Sequence, residues 1–153
     1  MPAHRINSLH NVGIVVASLD DAIAFFTVLG MRLEGRGLVE GAWSGRVTGL
    51  ADQQVEIAMM VTPDGHNRIE LCRYIRPEVV ADHRTAPVNA FGYLRMMFNV
   101  THIDALVERL IEHGATLVGE IVQYENSYRL CYIRGTEGIL IGLAEALHAD
   151  TNN

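Results

Sequence analysis

The chain has 153 residues, 49% hydrophobic and 20% charged, a balance that supports a buried core and excludes compositional disorder. Its formal net charge of -6 argues against a phosphate-tracking surface, because nucleic-acid affinity rests on clustered Lys and Arg. No apolar run approaches membrane-spanning length and the start "MPAHRINSLHNVGIVV" carries no signal pattern, so the expected setting is cytoplasmic, with no nucleic acid, no membrane, and a small molecule or second subunit as partner.

The first element is a strand, "HNVGIVV" (10–16). Leu19, Ala22, Ile23 and Phe26 then fall at i, i+3, i+4 and i+7, one apolar face of a helix. Ser18 with Asp21 supplies a capping-box start and Gly30 a left-handed stop. Strand candidates follow at 37–48, at "VEIAMMV" (55–61) and at "RIELCRY" (68–74). "PDGH" between the last two lacks the glycine spacing and following helix of a phosphate loop and reads as a hairpin turn, as does the later "TEG". "PEVVADHRTAPVNAF" (77–91), with two prolines and no clean period, reads as a linker.

After the linker come a strand, "YLRMMFNV" (93–100), and a helix with Ile103, Leu106, Val107 and Leu110 on one face, Thr101 and Asp104 at its start and Gly114 at its stop. The last strand candidates are "EIVQYENS" (120–127), "YRLCYIR" (128–134) and "ILIGLAEA" (139–146). Cys72 and Cys131 lie within apolar strands and form no CxxC pair, so buried reduced thiols are expected.

The two halves are one pattern written twice. An offset of 84 positions, Asn11 to Arg95, carries the first helix face onto the second, Gly30 onto Gly114 and Gly35 onto Gly119. An offset of 73, Val55 to Tyr128, relates the later strands, the first half carrying extra residues around "AWSGRVTGLADQQ". The expected architecture is α+β: a single domain over 1–153, with βαβββ modules at 7–76 and 92–147 joined by the linker. Each module would lay a helix on one sheet face, and the two free faces would close around a shared cavity.

A tandem βαβββ repeat with "HNVGIVVASLDDAIAFF", a "PDG" turn, "IEL" and a closing "EGILIGLAE" resembles the vicinal oxygen chelate superfamily over about residues 8–147. That superfamily includes glyoxalase I, methylmalonyl-CoA epimerase, extradiol dioxygenases and the bleomycin- and fosfomycin-resistance proteins. The resemblance implies a divalent metal held by the first and last strands of each module. Those positions fall on Asn11 and Arg95 (first strands) and on Glu70 and Gly142 (last strands). A guanidinium has no lone pair to offer, so no metal is favoured there. The alternative is a divalent metal on His10 and Glu70, reached if the strand slips by one residue, with water, a substrate oxygen or His83 completing it.

If Glu70 and Arg95 both point into the cavity, they either form an internal ion pair or act on a ligand, Arg95 forking onto an anionic oxygen and Glu70 serving as general base. The 73-residue offset sets Glu56 and Arg129 in equivalent slots, lining the cavity or facing solvent. Tyr124, Tyr128, Tyr132, Tyr93 and Trp43 supply a ligand wall or packing. Met59, Met60, Met96 and Met97 read as core. Among the histidines, His4, His66, His102, His113 and His148 need no catalytic role, whereas His83 in the linker suits a lid.

The reading is therefore a small-molecule-binding protein, glyoxalase-like, a lyase or isomerase abstracting a proton beside a carbonyl. Glu70 and Arg95 are its catalytic pair, with Asn11, Arg129, Tyr128, Tyr124, His83 and Trp43 as ligand-binding residues. The alternatives are a non-catalytic drug- or metabolite-binding protein of the resistance type, and a metal-dependent dioxygenase or glyoxalase using His10 and Glu70. Family habit implies a homodimer.

Overall fold

The computed structural model of the chain describes residues 4–147. The chain forms two compact units, the first ending at Val80 and the second beginning at Ala81. The first contains β1 (Val12–Val15), α1 (Leu19–Leu29), β2 (Arg32–Glu40), α2 (Ala42–Thr48), β3 (Gln54–Val61) and β4 (Arg68–Arg76). Its sheet runs β1-β4-β3-β2, with β1 parallel to β4 and the other neighbours antiparallel. The second contains β5 (Met96–Asn99), α3 (Ile103–Glu112), β6 (Thr116–Leu117), β7 (Val122–Tyr124), β8 (Tyr128–Arg134) and β9 (Leu140–Ala146). Its sheet runs β5-β9-β8-β6, β7 pairing with β8, and again the first strand lies parallel to the last. The fold is α+β, as the repeat implies.

Helix α1 starts where Ser18 accepts a hydrogen bond from the Asp21 N–H at 3.2 Å and stops at Gly30, whose φ of 119° suits a residue without Cβ. It buries Leu19, Ala22, Phe25 and Phe26 against its sheet. Helix α3 buries Ile103, Val107 and Leu110. Its start departs from expectation: no side chain caps it from Thr101 or His102, and the Glu145 carboxylate on β9 instead accepts from the His102 and Ile103 N–H groups. A capping signal within four residues of sequence is thus replaced by one from the last strand.

Two strand boundaries also differ. The strand expected over 37–48 ends at Glu40, and Ala42–Thr48 coils into α2. There Ser44 donates to the Gly41 carbonyl at 2.8 Å, and a Cβ on Gly45 would stand 2.7 Å from the Leu50 carbonyl oxygen, a fit only glycine permits. The strand expected over 120–127 is reduced to Val122–Tyr124, because Ser127 N–H bonds the Tyr124 carbonyl and Glu125 takes φ 51° to close the turn.

Register places the two modules on one template. Gly13 pairs with Glu70 and Met59 with Glu70 in the first unit; Met97 pairs with Gly142 and Tyr132 with Gly142 in the second. The helix side of each sheet is marked by ion pairs. Arg36 meets Asp20 at the start of α1 at 2.8 Å, and Arg129 meets Asp104 on α3. Because strand residues alternate in facing, Gly13, Glu70, Met59 and Gly35 lie on the helix-free face of the first sheet. Met97, Gly142 and Tyr132 lie on that of the second. Both cysteines are free thiols, Cys131 buried and Cys72 half-buried. Among the described residues, no helix is long and apolar enough to cross a membrane.

Candidate functional site

In the first unit the helix-free face centres on Glu70, half-buried in the middle of β4. Two residues along the same face, the Cys72 sulfur lies 3.3 Å from Glu70 Oε1. Burial pushes the Cys72 thiol up to about 12, and the hydrogen bond and charge of Glu70 add to the rise. The thiol therefore stays protonated and donates to the carboxylate. Asn11 stands one residue before β1, its amide Nδ2 2.9 Å from His10 Nδ1. His10 is exposed, and one of its ring nitrogens is engaged by its neighbour.

In the second unit Arg95 occupies the place equivalent to Asn11, one residue before β5. Its guanidinium lies over the Tyr132 ring, 4.6 Å from the centroid, and Nη1 donates to the Tyr132 hydroxyl. Within its unit Arg95 meets no carboxylate among the described residues, whereas Arg84 pairs with Asp82 and Glu137, and Arg129 with Asp104. Gly142, the counterpart of Glu70, is covered: a Cβ there would stand 2.8 Å from the Met97 methyl carbon.

The donor set of the second unit does not fit a divalent ion. Arg95 is a fixed cation without a lone pair, and Gly142 offers no side chain and is roofed by Met97. In the first unit Glu70 and His10 are the donors the alternative site requires. No group of three or more His, Cys, Asp or Glu side chains gathers among the described residues.

The remaining sequence candidates are scattered. Arg129 faces the helix side, tied to Asp104, so its guanidinium lies on the opposite sheet face from Tyr132. Its first-unit equivalent Glu56 stands 3.5 Å from Arg73. Tyr124 and Tyr128 pair directly across the β7–β8 hairpin, both exposed, with Tyr128 on the Tyr132 face. Trp43 is exposed on α2. His83 is exposed in the linker, where its carbonyl accepts from the Ala86 N–H. The linker is braced rather than loose: Arg134 donates to the Ala86 carbonyl at 2.6 Å and to the Tyr93 hydroxyl at 3.0 Å. His148 lies outside the described residues.

Sequence gives no functional role to Met97 over Gly142 or to Cys72 beside Glu70, and names Tyr132 only among several wall or packing aromatics, not as the partner of Arg95. The offset of 73 does carry Met59 onto Tyr132, and strand pairing then puts both opposite the last-strand ligand position. That pairing is the signal through which Tyr132 could have been found.

Comparison with known proteins agrees with the fold. The family model described as the Glyoxalase/Bleomycin resistance protein/Dioxygenase superfamily matches residues 10–132. A crystal structure of a glyoxalase family protein from Bacillus cereus is 68% identical, with a TM-score of 0.94 over 97% of this chain and 99% of that one. A glyoxylase/bleomycin resistance protein/dioxygenase domain from Frankia sp. shares the fold at 20% identity, with a TM-score of 0.66 over 97% of this chain and 96% of that one. The genomically encoded fosfomycin resistance protein of Listeria monocytogenes does so at 12% identity, with a TM-score of 0.61 over 95% and 96%. No curated protein matches. On the family match and the Bacillus cereus likeness together, this chain belongs to the glyoxalase/bleomycin resistance protein/dioxygenase superfamily.

Proposed function

We propose that this chain binds a small anionic or carbonyl-bearing molecule and acts on it as a glyoxalase-like lyase or isomerase. Arg95 takes the role that a metal plays in relatives. The observation that carries the reading is Arg95 itself: a cation at a family metal-ligand position, held on Tyr132, with no carboxylate partner in its unit among the described residues. A fixed guanidinium offers paired donors to developing negative charge on an enolate or carboxylate oxygen. Glu70, a half-buried carboxylate on the helix-free face of its own sheet, serves as the proton acceptor. Asn11 supplies an amide at the end of the same sheet, and Tyr128 an aromatic ring further along the Tyr132 face of β8. Trp43, Tyr124 and His83 complete the proposal as exposed side chains available to a ligand. Arg129 is the weakest member, because Asp104 already engages it.

The test is solvent-deuterium incorporation next to the carbonyl, followed by NMR across a panel of small carbonyl and carboxylate compounds. Exchange should occur with the native chain and be lost in both Glu70→Gln and Arg95→Ala. Exchange at the native rate in Glu70→Gln would contradict the base assignment. A second reading, non-catalytic binding, is favoured by one observation: Glu70 Oε1 already accepts from Cys72, which engages a lone pair the base would use. Saturable binding with no exchange for any compound decides for it. A homodimer belongs to the same proposal, supported by the exposed apolar Val80 and Phe91. A monomer in sedimentation equilibrium would remove it.

A further inference from the structure

Tyr132 sits in the middle of β8 directly opposite Gly142, so β9 itself places no side chain beside it on the helix-free face, and the Met97 side chain lies over the glycine. The Arg95 guanidinium carbon lies 4.6 Å from the ring centroid, displaced towards the hydroxyl that Nη1 bonds, and its remaining N–H groups are left for other hydrogen bonds. An arginine has five N–H donors, and one of them is spent on the Tyr132 hydroxyl oxygen. Because that oxygen accepts, the hydroxyl hydrogen remains to be donated. The pair thus offers two kinds of donor side by side: a planar fork that matches the two oxygens of a carboxylate, and a single phenol O–H next to it.

We propose that Arg95 and Tyr132 form a two-part recognition head for a 2-oxo or 2-hydroxy carboxylate. Arg95 takes the carboxylate, and Tyr132 donates to the oxygen on the adjacent carbon. The inference rests on the anion-binding reading of Arg95 and adds a specificity-determining residue and a ligand class. A bare carboxylate satisfies the fork and leaves the phenol unused; a 2-oxo acid satisfies both. Tyrosine suits the task because it has few rotatable bonds and its hydroxyl is already held by Arg95 Nη1. The chemistry agrees with proton removal beside a carbonyl, since the same phenol would donate to the oxygen on which enolate charge develops.

The probes are pyruvate and acetate, titrated into the full-length 15N-labelled protein while the Arg95 Nε–H signal is followed. Pyruvate should bind about tenfold more tightly than acetate, the effect of one added hydrogen bond to a polarised oxygen. Tyr132→Phe keeps the ring and removes the donor, so the preference should fall to near unity. A tenfold preference that survives in Tyr132→Phe overturns the proposal. So does an equal loss of both ligands in Tyr132→Phe, which would make Tyr132 only a support for Arg95. Arg95→Ala separates the two levels. If it abolishes binding of both probes while Tyr132→Phe fails to change the preference, the anion site stands and the Tyr132 inference falls. If pyruvate binds Arg95→Ala as tightly as the native chain, the reading of Arg95 falls as well. Absence of a saturable shift with either probe in the native chain overturns both. Retained amide dispersion in each variant confirms that it is folded.

Discussion

The two modules solve one packing problem with opposite choices. Where the first strand crosses the last, the first module sets Gly13 beside Glu70 and the second sets Met97 beside Gly142. Each crossing has one long side chain and one glycine, on exchanged strands. The same inversion recurs on the helix side, where Glu56 stands opposite Arg73 in one module and Arg129 opposite Glu145 in the other. At the end of the helix-free face, Val61 pairs with Arg68 in the first module and Arg134 with Leu140 in the second. The fold therefore asks for complementary volume and charge at each crossing and is indifferent to which strand supplies which part. Chemistry is not indifferent. A carboxylate survives in one corner, and in the other a cation rests on an aromatic ring.

The largest effects should come from what the modules share. Phe26 and Leu110 are equivalent helix residues under the offset of 84, both at 0% exposure. Phe26→Ala should cost about 3–5 kcal/mol and Leu110→Ala about 2–5 kcal/mol, measured by urea denaturation. A loss below about 1 kcal/mol at either would show that the two helices are not equivalent keystones.

The exchanged crossing predicts a smaller, reversible effect. Gly142→Glu rebuilds the first module's residue under a Met97 methyl that would lie 2.8 Å from the new Cβ, and overpacking of this kind costs about 1–3 kcal/mol. Met97→Gly in the same chain should restore most of that stability, because it completes the first module's pairing. If the double variant is no more stable than Gly142→Glu alone, Met97 is not what excludes a side chain at 142.

The smallest effect lies in titration of Cys72. Its thiol, raised from 9.0 to about 12 by burial and then by Glu70, should react with iodoacetamide without the usual inflection near pH 9. The sign follows from the raised folded value: the protonated form is the one the fold favours. Its contribution to stability is whole below pH 9.0 and fades as pH climbs towards 12. Glu70→Gln should move the inflection down towards 9.0 but not all the way, since burial is the largest cause. An inflection that does not move would place the carboxylate away from the thiol.

Much of this was legible in the letters. The i, i+3, i+4, i+7 faces at Leu19 and Ile103 and the stops at Gly30 and Gly114 follow from local periodicity and an internal repeat, and the equivalence of Glu70 with Gly142 from the family resemblance. Failures came where distant chain decides. Thr101 does not cap α3 because Glu145, far along the sequence, reaches its N–H groups first. Residues 42–48 coil because Gly45 can approach the Leu50 carbonyl, a contact no period encodes. Tyr132 is one aromatic among several until strand register sets it opposite Gly142, and the choice between cavity and solvent for Arg129 is settled only by Asp104, which engages it on the helix side.

The most direct measurement is a crystal structure of the protein grown with pyruvate. The account predicts the carboxylate on the Arg95 guanidinium edge, with the 2-oxygen within hydrogen-bonding distance of the Tyr132 hydroxyl. A transition metal coordinated by Glu70 and His10 with Arg95 turned to solvent, or pyruvate seated away from Arg95, would contradict it.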